Sequence, residues 1–298
     1  MITRAQLVLG TVQLGLTYGI ANRSGKPDYT RALSIINEAW KNGIREFDTA
    51  QGYGDSEDTL GRAIHDLGIG NEIRIISKFD PRTDHLRGDL LSDSLERSLQ
   101  RLGVASLHGM LLHREELLSL WDRGLSRKLL EFVESGKVRK LGISVYTPAA
   151  AARALNSEGI DIVQLPTNVL DRRFENAGIF ELAREKNKMV YIRSIFLQGL
   201  LLLSADEVPD HLSEACTFLA ELTRISEEYG LAPKDIAVGY IKKTMPHACV
   251  IFGAETQNQV IENIRAWHKE LPETVCERIR GVFNDVAEDI LNPARWTS

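Results

Sequence analysis

Cysteine is scarce in this chain of 298 residues: only Cys216, Cys249 and Cys276 occur. Their number is odd and their spacing fits neither C-x-x-C nor a metal-ligand pattern. A disulfide scaffold and a zinc site therefore lose support, and a reducing cytoplasm is the expected compartment. Basic charge is not in excess either. The 36 Lys and Arg stand against 41 Asp and Glu, a net of −5, so the electrostatic footprint of a nucleic-acid binder is missing. The most conspicuous apolar run, Leu200 to Leu203, is far shorter than the ~18 residues of a membrane helix, and Met1 to Gln6 does not lead into a signal-peptide core. Neither nucleic acid nor membrane is an expected partner. G-x-G-x-x-G, the phosphate-binding P-loop and H-E-x-x-H are all absent. His65, His85, His108, His211, His247 and His268 are scattered without metal spacing, so no metal is expected.

What is present is a regular alternation. Apolar, β-branched segments occur at Leu7 to Val12, Ile44 to Asp48, Ile73 to Lys78, Leu107 to His113, Val138 to Val145, Ile160 to Pro166, Met189 to Ser194 and Ala248 to Gly253. Helical stripes separate them, such as Ala32, Leu33, Ile36, Ala39 and Trp40 after the start signal Pro27-Asp28, and Leu91, Leu95, Leu99 and Leu102 closed by Gly103. Eight βα units without a linker or composition break predict a (β/α)8 TIM barrel, one domain over residues 1–298. Fifty-nine residues separate the strand starts Met189 and Ala248, so the seventh connection must carry extra helices, predicted at His211 to Tyr229 and Pro233 to Thr244. A last helix is predicted from Pro272 to Leu291.

Barrel enzymes keep their reactive groups at the C-terminal ends of strands. Three consecutive predicted strands end in Asp48, Lys78 and His113, and Tyr53 follows in the loop after Asp48. A tyrosine, with a reference pKa of about 10, holds its proton at neutral pH and is a suitable acid if a neighbour stabilises its phenolate. Lys78 can do that, Asp48 can keep the lysine charged and fixed, and His113 can hydrogen-bond a substrate oxygen. Taken singly, Asp48 and Lys78 read as a barrel ion pair and Tyr53 as a loop tyrosine. Only as an ordered set do they read as an active site. Glu115 and Glu116, being adjacent, point apart on a helix and give little support to a glycosidase-like pair.

The segment Asp48-Thr49-Ala50-Gln51-Gly52-Tyr53-Gly54 resembles the aldo-keto reductase family. Ser77-Lys78, Leu111-Leu112-His113, Gly136 to Ser144 and Gly253 to Asn263 are similar to the family's later landmarks in the same order. The resemblance implies a (β/α)8 barrel that binds NADP(H), less often NAD(H), without a Rossmann fold, and reduces aldehydes or ketones to alcohols with Tyr53 as general acid. It further implies that Ser144 and Gln164 hold the nicotinamide carboxamide, with Asn168 just beyond. Arg193 would stand where an aromatic residue often stacks on the nicotinamide. Ser194 and Gly199 would belong to the loop over the pyrophosphate, and Gly253, Gln259, Glu262 and Asn263 to the adenosine end. A cofactor-bound regulatory subunit with little turnover is the alternative, since fold and site do not establish physiological use.

Four departures from the family pattern qualify these expectations. Glu255 and Thr256 follow Gly253-Ala254 where a basic residue often grips the 2′-phosphate, which weakens the case for NADP(H). Val145 replaces an asparagine common after Ser144. Only six residues precede the first predicted strand, too few for a hairpin across the barrel bottom, and the short chain after the last helix argues against a large C-terminal substrate loop. Finally, Gly15 to Pro27 is similar to a bacterial branch associated with surface-polysaccharide genes, which implies a small, sugar-derived carbonyl substrate.

Overall fold

The computed structural model describes residues 5–296. Eight strands, β1 (Gln6–Gly10), β2 (Glu46–Asp48), β3 (Arg74–Lys78), β4 (Gly109–Leu112), β5 (Leu141–Ser144), β6 (Ile162–Pro166), β7 (Met189–Arg193) and β8 (Cys249–Phe252), run parallel and close into a barrel in chain order. This is the predicted (β/α)8 architecture. The strands are shorter than their apolar runs because the ends are taken by turns. Val12 starts a short helix, Val12–Gly15, and Ser194 leaves β7 with a left-handed φ of 60°.

Sequence explains where the flanking helices start. Asp28 caps Tyr29–Lys41 by accepting from the Arg31 amide, and Thr256 caps Gln257–His268 by accepting from the Gln259 amide. The seventh connection contains Pro233–Thr244 as predicted, but the helix expected from His211 begins only at Ala215. Asp210–Leu212 forms a separate tight turn. The last helix is likewise divided into Glu273–Val282 and Glu288–Leu291, because Phe283 leaves helical geometry and buries its ring 6.5 Å from that of Phe218.

Alternation along each strand sorts the side chains into two cores. Outward residues such as Leu9, Phe47, Ile75, Leu112, Ile143, Val163, Ile192 and Phe252 pack under the helices. Inward residues Val8, Ile76, Leu111, Ile162, Tyr191 and Ile251 fill the barrel's middle. Glycine is required where strands crowd this interior: a Cβ on Gly142 would sit 2.5 Å from the Ile162 carbonyl oxygen.

Below the apolar layer lies a polar plug at the N-terminal ends of the strands. Glu46, 1% exposed, accepts from Gln6 Nε2 at 2.9 Å, from Arg74 Nε at 3.1 Å and from the Tyr191 hydroxyl. Burial holds its carboxyl above the ordinary range even with these three donors. Among the described residues, this network occupies the end of the barrel that the expected lack of an N-terminal hairpin left in question. Tyr191→Phe should therefore lower the unfolding free energy by about 1–3 kcal/mol in urea titrations, the usual cost of an unanswered buried polar group. An unchanged midpoint would mean that Glu46 does not need this donor.

Candidate active site

The two-residue period that fills the barrel's middle also brings one residue from each strand to the opposite, C-terminal mouth. Gly10, Asp48, Lys78, Ser144, Gln164 and Arg193 each lie two residues after an inward position, and His113 and Gly253 follow β4 and β8 at the same spacing. Two glycines thus open one side of the mouth, and six polar residues close the rest.

Asp48 is the junction of this ring. One carboxylate oxygen takes the Lys78 ammonium at 2.7 Å and the other takes Gln164 Nε2 at 2.7 Å, all three groups being buried. Lys78 also donates to the Thr49 carbonyl at 2.9 Å. Burial holds the lysine below its ordinary range, with Asp48 opposing. The Lys78 nitrogen lies 4.9 Å from the centre of the Tyr53 ring, whose edge meets His113 with ring centres 5.6 Å apart. Burial, then Asp48, holds the Tyr53 phenol above its ordinary value, so it retains its proton. Burial, then Lys78 and Arg193, pushes His113 down to about 3. A protonated phenol, an ammonium and a neutral imidazole share one corner, which suits donation of a proton to an oxygen gaining negative charge.

Local packing fixes Tyr53 in place. A Cβ on Gly15 would stand 1.8 Å from the Tyr53 carbonyl oxygen, and one on left-handed Gly54 would stand 2.4 Å from that of Gly15. The loop can approach the Val12–Gly15 turn this closely only through these glycines.

From Tyr53 a cleft runs past the β8 end towards Asn263, and Asp48, Gln164, Arg193, Ser194, Gly199, Gly253 and Gln259 also line it. Of the other sequence-predicted residues, Lys78 lies behind Asp48, Ser144 is buried beside Gln164 in register, and His113 lines an adjoining recess. Glu262 is not in the wall but holds Lys234, which is, at 2.5 Å. Asn168 is used within the protein: its Oδ1 accepts from the Leu170 and Asp171 amides and its Nδ2 donates to the Ser194 carbonyl. Gln13, Tyr18 and Glu255 also line the wall, beyond the site residues expected from the sequence. Gln13 and Tyr18 follow β1, so the strand-end rule applied to that loop would have found them.

Two features define what the cleft can accept. The buried oxygens Gln164 Oε1, Asn263 Oδ1 and Gln13 Oε1 have no donor among the described residues. A ligand presenting N–H groups, a carboxamide at Gln164 and an aminopurine at Asn263, would satisfy the first two. The loop after β7 holds Ser194, Leu197 and Gln198 at positive φ, with Gly199 at 93° packed against Ala21, so its backbone is strained along the cleft. The adjoining recess is lined by His113, Arg114 and Tyr146 and by Asn292, Ala294 and Arg295, so the segment after the last helix borders the site. Glu115 accepts from the Tyr146 and Thr147 amides at 2.7 and 3.0 Å and shapes the wall there.

A model described as the aldo/keto reductase family matches residues 6–284. The chain is 26% identical to aldo-keto reductase str7 of Strobilurus tenacellus, covering 91% of this chain and 86% of that one. It is 25% identical to the NADH-specific methylglyoxal reductase of Escherichia coli strain K12, covering 94% of each. The structure superposes on aldo-keto reductase AKR11C1 of Bacillus halodurans in its holo form with a TM-score of 0.75 at 22% identity, over 93% and 92% of the two chains.

His113 should show no titration between pH 8 and 5 by NMR. His108, at the other end of the barrel, is pushed down to about 4 by burial and then Arg74. The unfolded chain takes up both protons near pH 6.5 while the folded chain does not. Stability is therefore complete above that value and falls as pH drops from it towards 4. Urea midpoints that fail to fall between pH 7 and 5 would contradict these assignments.

Proposed function

The chain belongs to the aldo/keto reductase family of NAD(P)H-dependent oxidoreductases, and on that premise we propose that it reduces the carbonyl of a small, sugar-derived aldehyde or ketone, with Tyr53 as proton donor. The observation that carries this reading is the double engagement of Asp48. One oxygen fixes Lys78 beneath Tyr53, and the other holds Gln164, a residue of the cleft wall whose buried Oε1 has no donor among the described residues. The proton-donating corner and a carboxamide acceptor are thereby held by one carboxylate.

When bound, the nicotinamide supplies the hydride that reduces the carbonyl carbon. Gln164 would hold its carboxamide, Asn263 and Gln259 would face the adenosine end, and the loop from Ser194 to Gly199 would lie along the pyrophosphate. As negative charge grows on the carbonyl oxygen, the Tyr53 hydroxyl passes its proton to that oxygen. Lys78 stabilises the resulting phenolate, and neutral His113 donates a hydrogen bond to the same oxygen. Asp48 keeps the ammonium in place as charge moves. The Tyr18 and Tyr146 rings offer the apolar faces and hydroxyls that suit a polyhydroxylated substrate.

For the cofactor we infer NAD(H), in place of the NADP(H) that the family resemblance puts first. Glu255 lines the adenosine end, where Ser24 Oγ donates to it at 3.3 Å and Gln259 Oε1 takes its amide at 2.6 Å. A carboxylate there accepts from ribose hydroxyls and repels a 2′-phosphate. Lys234 is the basic group at that end, and Glu262 already neutralises it.

Tyr53→Phe should lower turnover of a carbonyl panel by about 10²–10⁴-fold while nucleotide binding, followed by fluorescence, persists. Undiminished reduction would remove Tyr53 from the role. In the wild type NADH should bind at least about tenfold tighter than NADPH, ~1.4 kcal/mol, and Glu255→Gln should narrow that gap. A preference for NADPH would overturn the cofactor assignment.

A further inference from the structure

Among the described residues Arg193 is a cation without a counter-ion. It is the inward residue at the end of β7, half-buried, and its guanidinium lies 4.2 Å over the Tyr146 ring. Its hydrogen bonds are long: 3.3 Å to the Val145 carbonyl and 3.4 Å to Ser194 Oγ. Among the described residues no carboxylate comes within ion-pair distance of it, nor of Arg114 at the rim of the recess that His113 and Tyr146 also line. The acids nearby are engaged elsewhere. Asp48 is held by Lys78 and Gln164, Asp80 by Arg82 at 2.6 Å, Glu115 by two backbone amides, and Glu288 by Arg295 at 3.0 Å.

This placement leaves the guanidinium able to take up a negative group. Arg193 stands close enough to Lys78 and His113 to oppose the protonated form of each, so it raises the positive potential of a mouth that already holds an ammonium. A half-buried guanidinium with unfilled donors and one face free of Tyr146 matches a planar or tetrahedral oxyanion.

We propose that the carbonyl substrate carries an anionic group, a carboxylate or a phosphate, which Arg193 binds through its fork while Arg114 attracts it at the rim. The carbonyl end then reaches Tyr53 and His113. This rests on the reductase reading above and narrows its substrate to an acidic one. It also gives Arg193 a role distinct from stacking on the nicotinamide, which the family resemblance assigns to this position.

Two matched pairs test it: 4-oxobutanoate against butanal, and glyceraldehyde 3-phosphate against glyceraldehyde. Each would be assayed with wild type, Arg193→Gln and Arg193→Lys. The charged member of one pair should be preferred at least about tenfold in kcat/KM, through KM, and the pair that shows it tells carboxylate from phosphate. Arg193→Gln should erase the preference and Arg193→Lys should keep part of it. Calorimetry with 4-hydroxybutyrate and glycerol 3-phosphate reads the anion site without turnover, so failure of this assignment is distinguishable from failure of the reductase reading. Either anion should bind wild type and lose at least about tenfold in affinity in Arg193→Gln. The proposal is overturned if neither anion binds, or if Arg193→Gln weakens charged and neutral substrates alike together with NADH binding.

Discussion

A carboxylate as buried as that of Asp48 persists only when both its charge and its lone pairs are answered. Lys78 answers the charge, and Gln164 takes the remaining oxygen. Neither partner is optional for the other. Without Asp48 the lysine would be a buried cation beneath an aromatic ring, and Gln164 would be free to turn its amide. The strands that carry the three residues are β2, β3 and β6, so the interaction spans the barrel mouth and couples the corner around Tyr53 to the cleft beside it.

The barrel makes this possible by dividing its interior into three layers. An apolar middle built on Val8, Ile76, Leu111, Ile162 and Ile251 separates two polar ends, each organised around a β2 acid: Glu46 below and Asp48 above. The two acids share one strand and face, two residues apart, yet their partners differ. Glu46 is met by Gln6, Arg74 and Tyr191, a closed set. Around Asp48 the set stays open among the described residues: Gln164 keeps an acceptor unused and Arg193 keeps donors unfilled. Polar groups that are fully satisfied stabilise a barrel, whereas those left unsatisfied at its mouth are the ones able to engage ligands.

Much of this was legible in the sequence because it depends on periodicity. The eight apolar runs located the strands, and Asp48, Lys78 and His113 stood out because a strand end in a barrel is a privileged place. What escaped depends on three-dimensional routing. The loop from Leu16 to Asp28 has no periodicity, so Tyr18 could be found only from its place after β1 and not from any pattern within the loop. Glu262 sits on the helix Gln257–His268 beside Asn263, but its carboxylate is taken by Lys234 instead of lining the cleft. The break at Phe283 was invisible because the apolar pattern continues through it; the helix ends where Phe283 packs near Phe218 and where Arg172 and Asn284 take the Arg280 and Gly281 carbonyls. Asn168 matched a family landmark by position, yet its amide is consumed by its own turn and by the Ser194 carbonyl.

The charge pattern of the mouth follows from the same economy of partners. Glu255 brings negative charge to the Asn263 end of the cleft, while Lys78, Arg193 and Arg114 bring positive charge to the end around Tyr53 and His113. The most direct measurement concerns the coupling through Asp48: NADH affinity and carbonyl turnover determined together in Asp48→Ala, with Asp48→Asn as the milder variant. If one carboxylate organises both functions, NADH affinity falls about tenfold and turnover falls at least about a hundredfold in the same protein. NADH binding equal to that of wild type, with turnover alone lost, would contradict it.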